Sequence, residues 1–120
     1  GIGVAFALAI AVLVDAFAVS PADLGTAVAT VARLAPAAVV LCDDGAAGPL
    51  QVREACREAV LAARPVPVSV RLSDAGGLGQ ANALTALKSG VAHLDLGGGL
   101  DPDRVSRLVA GLGLRLQGAP

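Results

Sequence analysis

Helix-start signals recur in this 120-residue chain at Ser20, Gly48, Gly76 and Asp101, about every 25–28 residues, each after a short apolar run. One strand plus one helix fills such a period, so the spacing predicts four consecutive βα units. The signals are chemically specific. Ser20-Pro21-Ala22-Asp23 offers an N-cap hydroxyl, a proline at the first helical position and an acid near the positive helix end. Gly48-Pro49 and Asp101-Pro102-Asp103 repeat the pattern. Parallel strands need helical crossovers of this length, so the expected class is α/β and parallel throughout, in one domain over residues 1–120.

Between these signals, Val4 to Ile10 alternates large and small residues as a strand covered on both faces would, and Val12 to Val19 either extends it or forms an irregular loop. Leu24, Val28, Val31 and Ala35 form the stripe of the first helix, which Pro36 stops. Ala37 to Leu41 is a buried strand ending in the polar turn Cys42-Asp43-Asp44-Gly45. The second helix sets Val52, Cys56, Val60 and Ala63 inward and Arg53, Glu54, Arg57 and Glu58 toward water, with Glu54 and Arg57 spaced to pair. Val66 to Leu72, the helix Leu78 to Ser89 ending at Gly90, and the strand Val91 to Leu96 complete the densest βαβ run. A last helix carries Val105, Leu108, Val109 and Leu112.

Polar residues cluster at the predicted carboxyl ends of the strands, where α/β folds place their chemistry. Arg71, Ser73 and Asp74 could bind a carboxylate or phosphate; alternatively Arg71 pairs with Asp74 or another strand-end acid, and Ser73-Asp74 shapes the turn. His93 and Asp95 share a strand face, an arrangement for a base with an orienting acid or for a packed histidine. Gly97-Gly98-Gly99 feeds a helix start, a phosphate cradle in form, although Asp101 and Asp103 put negative charge there. Asp43 and Asp44 are candidate substrate contacts, and the acids beside Cys42 oppose a reactive thiolate.

The run Arg71-Leu72-Ser73-Asp74, then Gly77, Ala81-Asn82, Ala86, Gly90-Val91 and Asp95, resembles the metal-binding segment of hydroxymethylglutaryl-CoA lyases and their DRE-TIM metallolyase relatives, which include pyruvate carboxyltransferase domains. Their pattern is His-x-His-Asp followed by Gly, Ala-Asn, Ala and Gly at these spacings. Arg71 and Ser73 stand at the two histidine positions. Upstream, Cys42 to Pro49 is similar to the family's Asp-Thr-x-Gly-x-x-x-Pro turn, with Gly45 and Pro49 matching and Cys42 at the aspartate position. The resemblance implies four βα units from the carboxyl-terminal half of a (β/α)8 barrel, which as a whole needs roughly 250 residues. It implies aldol or retro-aldol carbon–carbon chemistry on an acyl-CoA or 2-oxo acid. It also implies Mg²⁺ or Mn²⁺, for which Asp74, Asp43 and Cys42 are the candidate ligands left. Asn82, a match to the family pattern, packs or hydrogen-bonds at the helix–strand interface or, with Asp95 and the glycine loop, is a candidate substrate contact. With both histidines replaced, and no counterpart of the family's first-strand Arg-Asp pair or its later Gly-Asn segment, the expectation is a chain that is not a competent metallolyase alone. A half-barrel that associates with itself or with a complementary half is the alternative.

Composition narrows the partners. Nine Lys+Arg against ten Asp+Glu, scattered singly, exclude a nucleic-acid tracker. With 55% hydrophobic residues but two Phe and no Trp, Tyr or Met, the core must be small aliphatics. Cys42 and Cys56 form no C-x-x-C pair, which favours reduced thiols and a cytoplasmic setting. Ile2 to Val14 has no polar residue, but its 13 residues fall short of the ~20 that span a bilayer.

Overall fold

The computed structural model describes residues 2–7, 9–97, 99–111 and 113. Among the described residues nine elements follow one another: β1 (Gly3–Ala7), β2 (Ile10–Val14), α1 (Pro21–Ala32), β3 (Ala38–Cys42), α2 (Pro49–Ala63), β4 (Val68–Leu72), α3 (Gly79–Lys88), β5 (His93–Leu96) and α4 (Pro102–Gly111). The strands form one sheet in the order β1-β2-β3-β4-β5. Pairing from β2 to β5 is parallel, which gives the four expected βα units.

The expectation of a wholly parallel sheet is corrected at the amino-terminal edge, where β1 lies antiparallel to β2. Val4 to Ile10 is not one strand. Ala7 pairs with Ile10, so the chain reverses between them, and Ala9 takes a left-handed φ of 63°. Val12 to Val14 therefore completes β2, while residues 15–19 form the loop into α1.

Each helix starts where side-chain chemistry satisfies a free amide. Ser20 Oγ accepts from Asp23 N at 3.1 Å, Gln51 Oε1 accepts from Gly48 N at 2.9 Å, and Asp101 Oδ1 accepts from Asp103 N at 3.0 Å. Asp74 Oδ1 does the same for α3, accepting from Gly79 N at 2.8 Å. Helix α1 ends at Ala32, short of the expected Ala35, which is exposed with φ 53°; Leu24, Val28 and Val31 carry the buried stripe. Leu108 is 39% exposed and so only partly joins the expected stripe, and Leu112 lies outside the described residues.

Alternation along the strands separates the two faces of the sheet. Leu13, Leu41, Val70 and Leu94 form one cross-strand row, and Ala11, Val39 and Val68 another. These rows face the helices, where Leu24, Val28, Val52, Cys56, Ala83, Ala86 and Val105 complete the core. Helices pack in sequence, α1 on α2, α2 on α3 and α3 on α4. With parallel strands in sequential order, right-handed crossovers put α1, α2 and α3 on one face, and α4 joins them by packing on α3 and burying Val105 and Val109 in the same core. No helix of the described residues is long and apolar enough to cross a membrane, and the apolar run Ile2 to Val14 is the β1–β2 hairpin.

Candidate functional site

The face away from the helices carries the polar residues. Register aligns Cys42 with Arg71 and Arg71 with Asp95, a row near the carboxyl ends of β3, β4 and β5. One step earlier, Val12, Val40, Ser69 and His93 form the adjacent row. Arg71 Nε donates to Asp95 Oδ2 at 2.7 Å, and Arg71 Nη1 stands 3.9 Å from Cys42 Sγ. The ion pair is about half exposed, with side chains 47% and 56% accessible, so it stabilises the fold by at most about 1 kcal/mol.

These contacts set the local titration. The hydrogen bond that Arg71 donates to Asp95, followed by the nearby Cys42, raises the already high pKa of Arg71. Burial pushes the Cys42 thiol up, Arg71 pulls it back in part, and Asp95 adds to the rise. Cys42 is therefore a neutral thiol at neutral pH. Cys56, buried in α2, is pushed up to about 12 by desolvation alone. Both cysteines are free.

Of the other candidates, Ser73 and Asp74 serve the turn between β4 and α3. Ser73 Oγ accepts from Ala75 N at 3.1 Å, and Asp74 caps α3. His93 is exposed and does not hydrogen-bond to Asp95, whose partner is Arg71. Gly97 N donates to Leu72 O at 2.7 Å, and a Cβ there would come within 2.6 Å of that oxygen. Gly99, at φ 84°, lies against the Asp74 side chain, so this loop packs on β4 and its turn; Gly98 lies outside the described residues. Glu54 and Arg57 form no ion pair; among the described residues the pair is Arg71 with Asp95.

A second cluster lies in the turns after β2 and β3. Asp15, Phe17, Cys42, Asp43, Asp44 and Gln51 contribute to a cleft of about 120 Å³. Asp43 is only 8% exposed; its Oδ1 accepts from Gly45 N at 3.0 Å and from Ala47 N at 3.4 Å, and its Oδ2 has no partner. Asp44 Oδ1 accepts from Ala46 N at 2.9 Å. From the other side Asn82, 1% exposed, donates Nδ2 to Ala47 O at 2.9 Å, joining α3 to this turn. Asp15 and Gln51 escaped sequence reasoning as cleft residues. Their signals were present: Asp15 is the first polar residue after the apolar run, and Gln51 sits at the capping-box position after Gly48.

These donors do not fit a divalent cation. Arg71 brings a fixed positive charge among the strand-end side chains, and Asp74 Oδ1 and Asp43 Oδ1 are committed to backbone amides. Among the described residues no three His, Cys, Asp or Glu side chains converge as metal ligands. No family model matches the sequence, and no curated protein matches it either.

Proposed function

We propose that the chain is a hydroxymethylglutaryl-CoA-lyase-like (βα)4 half-barrel, derived from a carbon–carbon lyase scaffold and not itself a competent metal-dependent lyase. The observation that carries this reading is the sidedness of the sheet. Four parallel strands run in sequential order with their helices on one side, and Cys42, Arg71 and Asp95 line up at the carboxyl ends on the other. In a closed barrel that second face is the interior, and the carboxyl ends are where substrate binds. A cytoplasmic protein with reduced thiols accords with the two free cysteines. If the chain binds substrate, Arg71 is the group to hold the carboxylate of an acyl-CoA or small acid, exchanging Asp95 for it. The test is an assay of the purified chain with hydroxymethylglutaryl-CoA and added Mg²⁺ or Mn²⁺. No turnover is expected, and turnover that Asp74→Ala abolishes would overturn the reading.

The non-catalytic alternative, association with a second copy or a complementary half, is favoured by one feature of the edges. Among the described residues nothing pairs with the outer edge of β5, whereas β1 covers the outer edge of β2. An all-parallel closure must therefore displace β1, or the partner must join antiparallel through it. Removing residues 1–8 is expected to strengthen association in sedimentation equilibrium. A chain that stays monomeric at high concentration with and without those residues rules out pairing.

A further inference from the structure

Helix α2 keeps its charges on separate sides. The Glu58 side chain lies toward α1, so close to Gly25 that a Cβ there would meet its Cγ and Oε1 at 2.9 Å, and Glu54 stands one turn before it. Arg57 and Arg64 instead line a cleft of about 460 Å³ between α2 and the end of α3, where Lys88 joins them. That volume falls within the roughly 300–1,000 Å³ typical of small-molecule sites. No Asp or Glu lines the cleft, and among the described residues none of the three cations forms an ion pair. Helix ends account for two of them: Arg64 is the C-cap residue of α2 and Lys88 sits in the last turn of α3, where the dipole favours a cation. Arg57 is not at a helix end. It has Glu54 three residues before it, yet it lines the cleft and makes no ion pair with that acid. Three like charges around one cavity repel one another, and no acid in the cleft offsets the repulsion. The wall between them is apolar, made by Val60 and Leu61, and Leu61 is 59% exposed.

We propose that this cleft binds an organic phosphate monoester, its dianionic head group held by the Arg57 and Arg64 guanidiniums and the Lys88 ammonium, its apolar body along Val60 and Leu61. Guanidinium forks match the spacing of phosphate oxygens, and the ammonium adds a compact point charge. The charge of the cleft favours an anion, three cations suit a dianion better than a single carboxylate, and the apolar wall favours an organic ester over the bare ion. The site lies apart from the Cys42, Arg71 and Asp95 row. Helices α2 and α3 lead into the starts of β4 and β5, so their carboxyl ends sit at the opposite end of the strands, and the proposal does not depend on lyase descent.

The test is amide NMR of the isotopically labelled chain at neutral pH and fixed ionic strength, titrated in turn with phenyl phosphate, inorganic phosphate and phenylacetate. Phenyl phosphate should give saturable shifts centred on Ser89 and Gly90, which line the cleft, and should bind more tightly than either of the other two. Arg57→Gln, Arg64→Gln and Lys88→Gln, all at exposed positions where the fold should tolerate them, should each weaken binding by roughly fivefold, the effect of one charge at about 4 Å in water. Arg53→Gln removes the same charge one turn earlier on α2 but outside the cleft, and should change affinity by less than about twofold. Shifts that do not saturate, phenyl phosphate binding no tighter than inorganic phosphate or phenylacetate, or a loss in Arg53→Gln equal to that in the three cleft variants overturns the assignment.

Discussion

The two faces of the parallel sheet are made from alternate residues of the same strands, yet they obey different physics. Toward the helices, Leu13, Leu41 and Val70 lie in one row and are 0% exposed. One residue further along, Cys42, Arg71 and Asp95 lie in a row in which the ion pair is about half accessible. Burial of close-packed aliphatics stabilises the first face, so volume there matters. On the second face Val40 and Ser69 are buried too, but the ion pair beside them contributes at most about 1 kcal/mol, so holding the sheet together does not require an arginine at 71 or an aspartate at 95. Their presence at strand ends is better explained by what the face meets.

The largest effect that can break this contrast is on the covered face. Leu41→Ala should destabilise the fold by about 2–5 kcal/mol, read from the denaturant midpoint by far-UV circular dichroism because the chain has no Trp or Tyr. A loss below about 1 kcal/mol would mean that this face is not the rigid core. Behind the same face, Cys56 makes the contrast pH-dependent. Its folded pKa is raised from 9.0 to about 12, so between those values the folded state holds a proton that the unfolded state has released. Stability is then complete below pH 9 and falls as pH rises toward 12, by about 1.4 kcal/mol per pH unit. Cys56→Ala should flatten that slope, whatever it costs in packing at neutral pH.

Asn82 tests the boundary between the two regimes, because it is buried but polar. Asn82→Ala removes the donor to Ala47 O and should cost about 1–3 kcal/mol while loosening the β3–α2 turn. Faster amide exchange at Gly45 and Ala47 is the local readout. If exchange there is unchanged, Asn82 does not hold the turn.

How much of this was legible follows from the range of the signals. Ser20, Gly48-Pro49 and Asp101-Pro102 mark helix starts by chemistry confined to three or four residues, and the helices begin there. The β1–β2 reversal carries no such mark. Its left-handed position is Ala9 instead of a glycine or asparagine, and apolar alternation continues through it, so one strand and a hairpin look alike. The end of α1 was obscured similarly, since Ala35 at φ 53° is no customary helix stop. At the site, Asp74 and Ser73 were readable as turn residues because their partners are close in sequence. The partner of Arg71 was open among strand-end acids, and only cross-strand register selects Asp95. The cleft needed two loops brought together by parallel pairing of β2 with β3, which no local pattern specifies.

The smallest effect in stability sharpens the contrast most. Arg71→Ala and Asp95→Asn should each change unfolding free energy by no more than about 1 kcal/mol, because both groups of the pair remain solvated when it is broken. Their effects on Cys42 should nevertheless have opposite signs. Arg71 pulls the burial-raised pKa of Cys42 down and Asp95 pushes it up. Removing the arginine should leave less thiolate at pH 8 and slow alkylation by iodoacetamide; neutralising the aspartate should leave more and speed it. Cys56, buried and raised to about 12, stays silent while the fold is intact, so the native rate reports Cys42 alone. Rates that move in the same direction in both variants would mean that side-chain exposure, not the field of the Arg71–Asp95 pair, governs that face. A loss of several kcal/mol in either would mean that the face is closed over in solution and that the pair is buried against a partner.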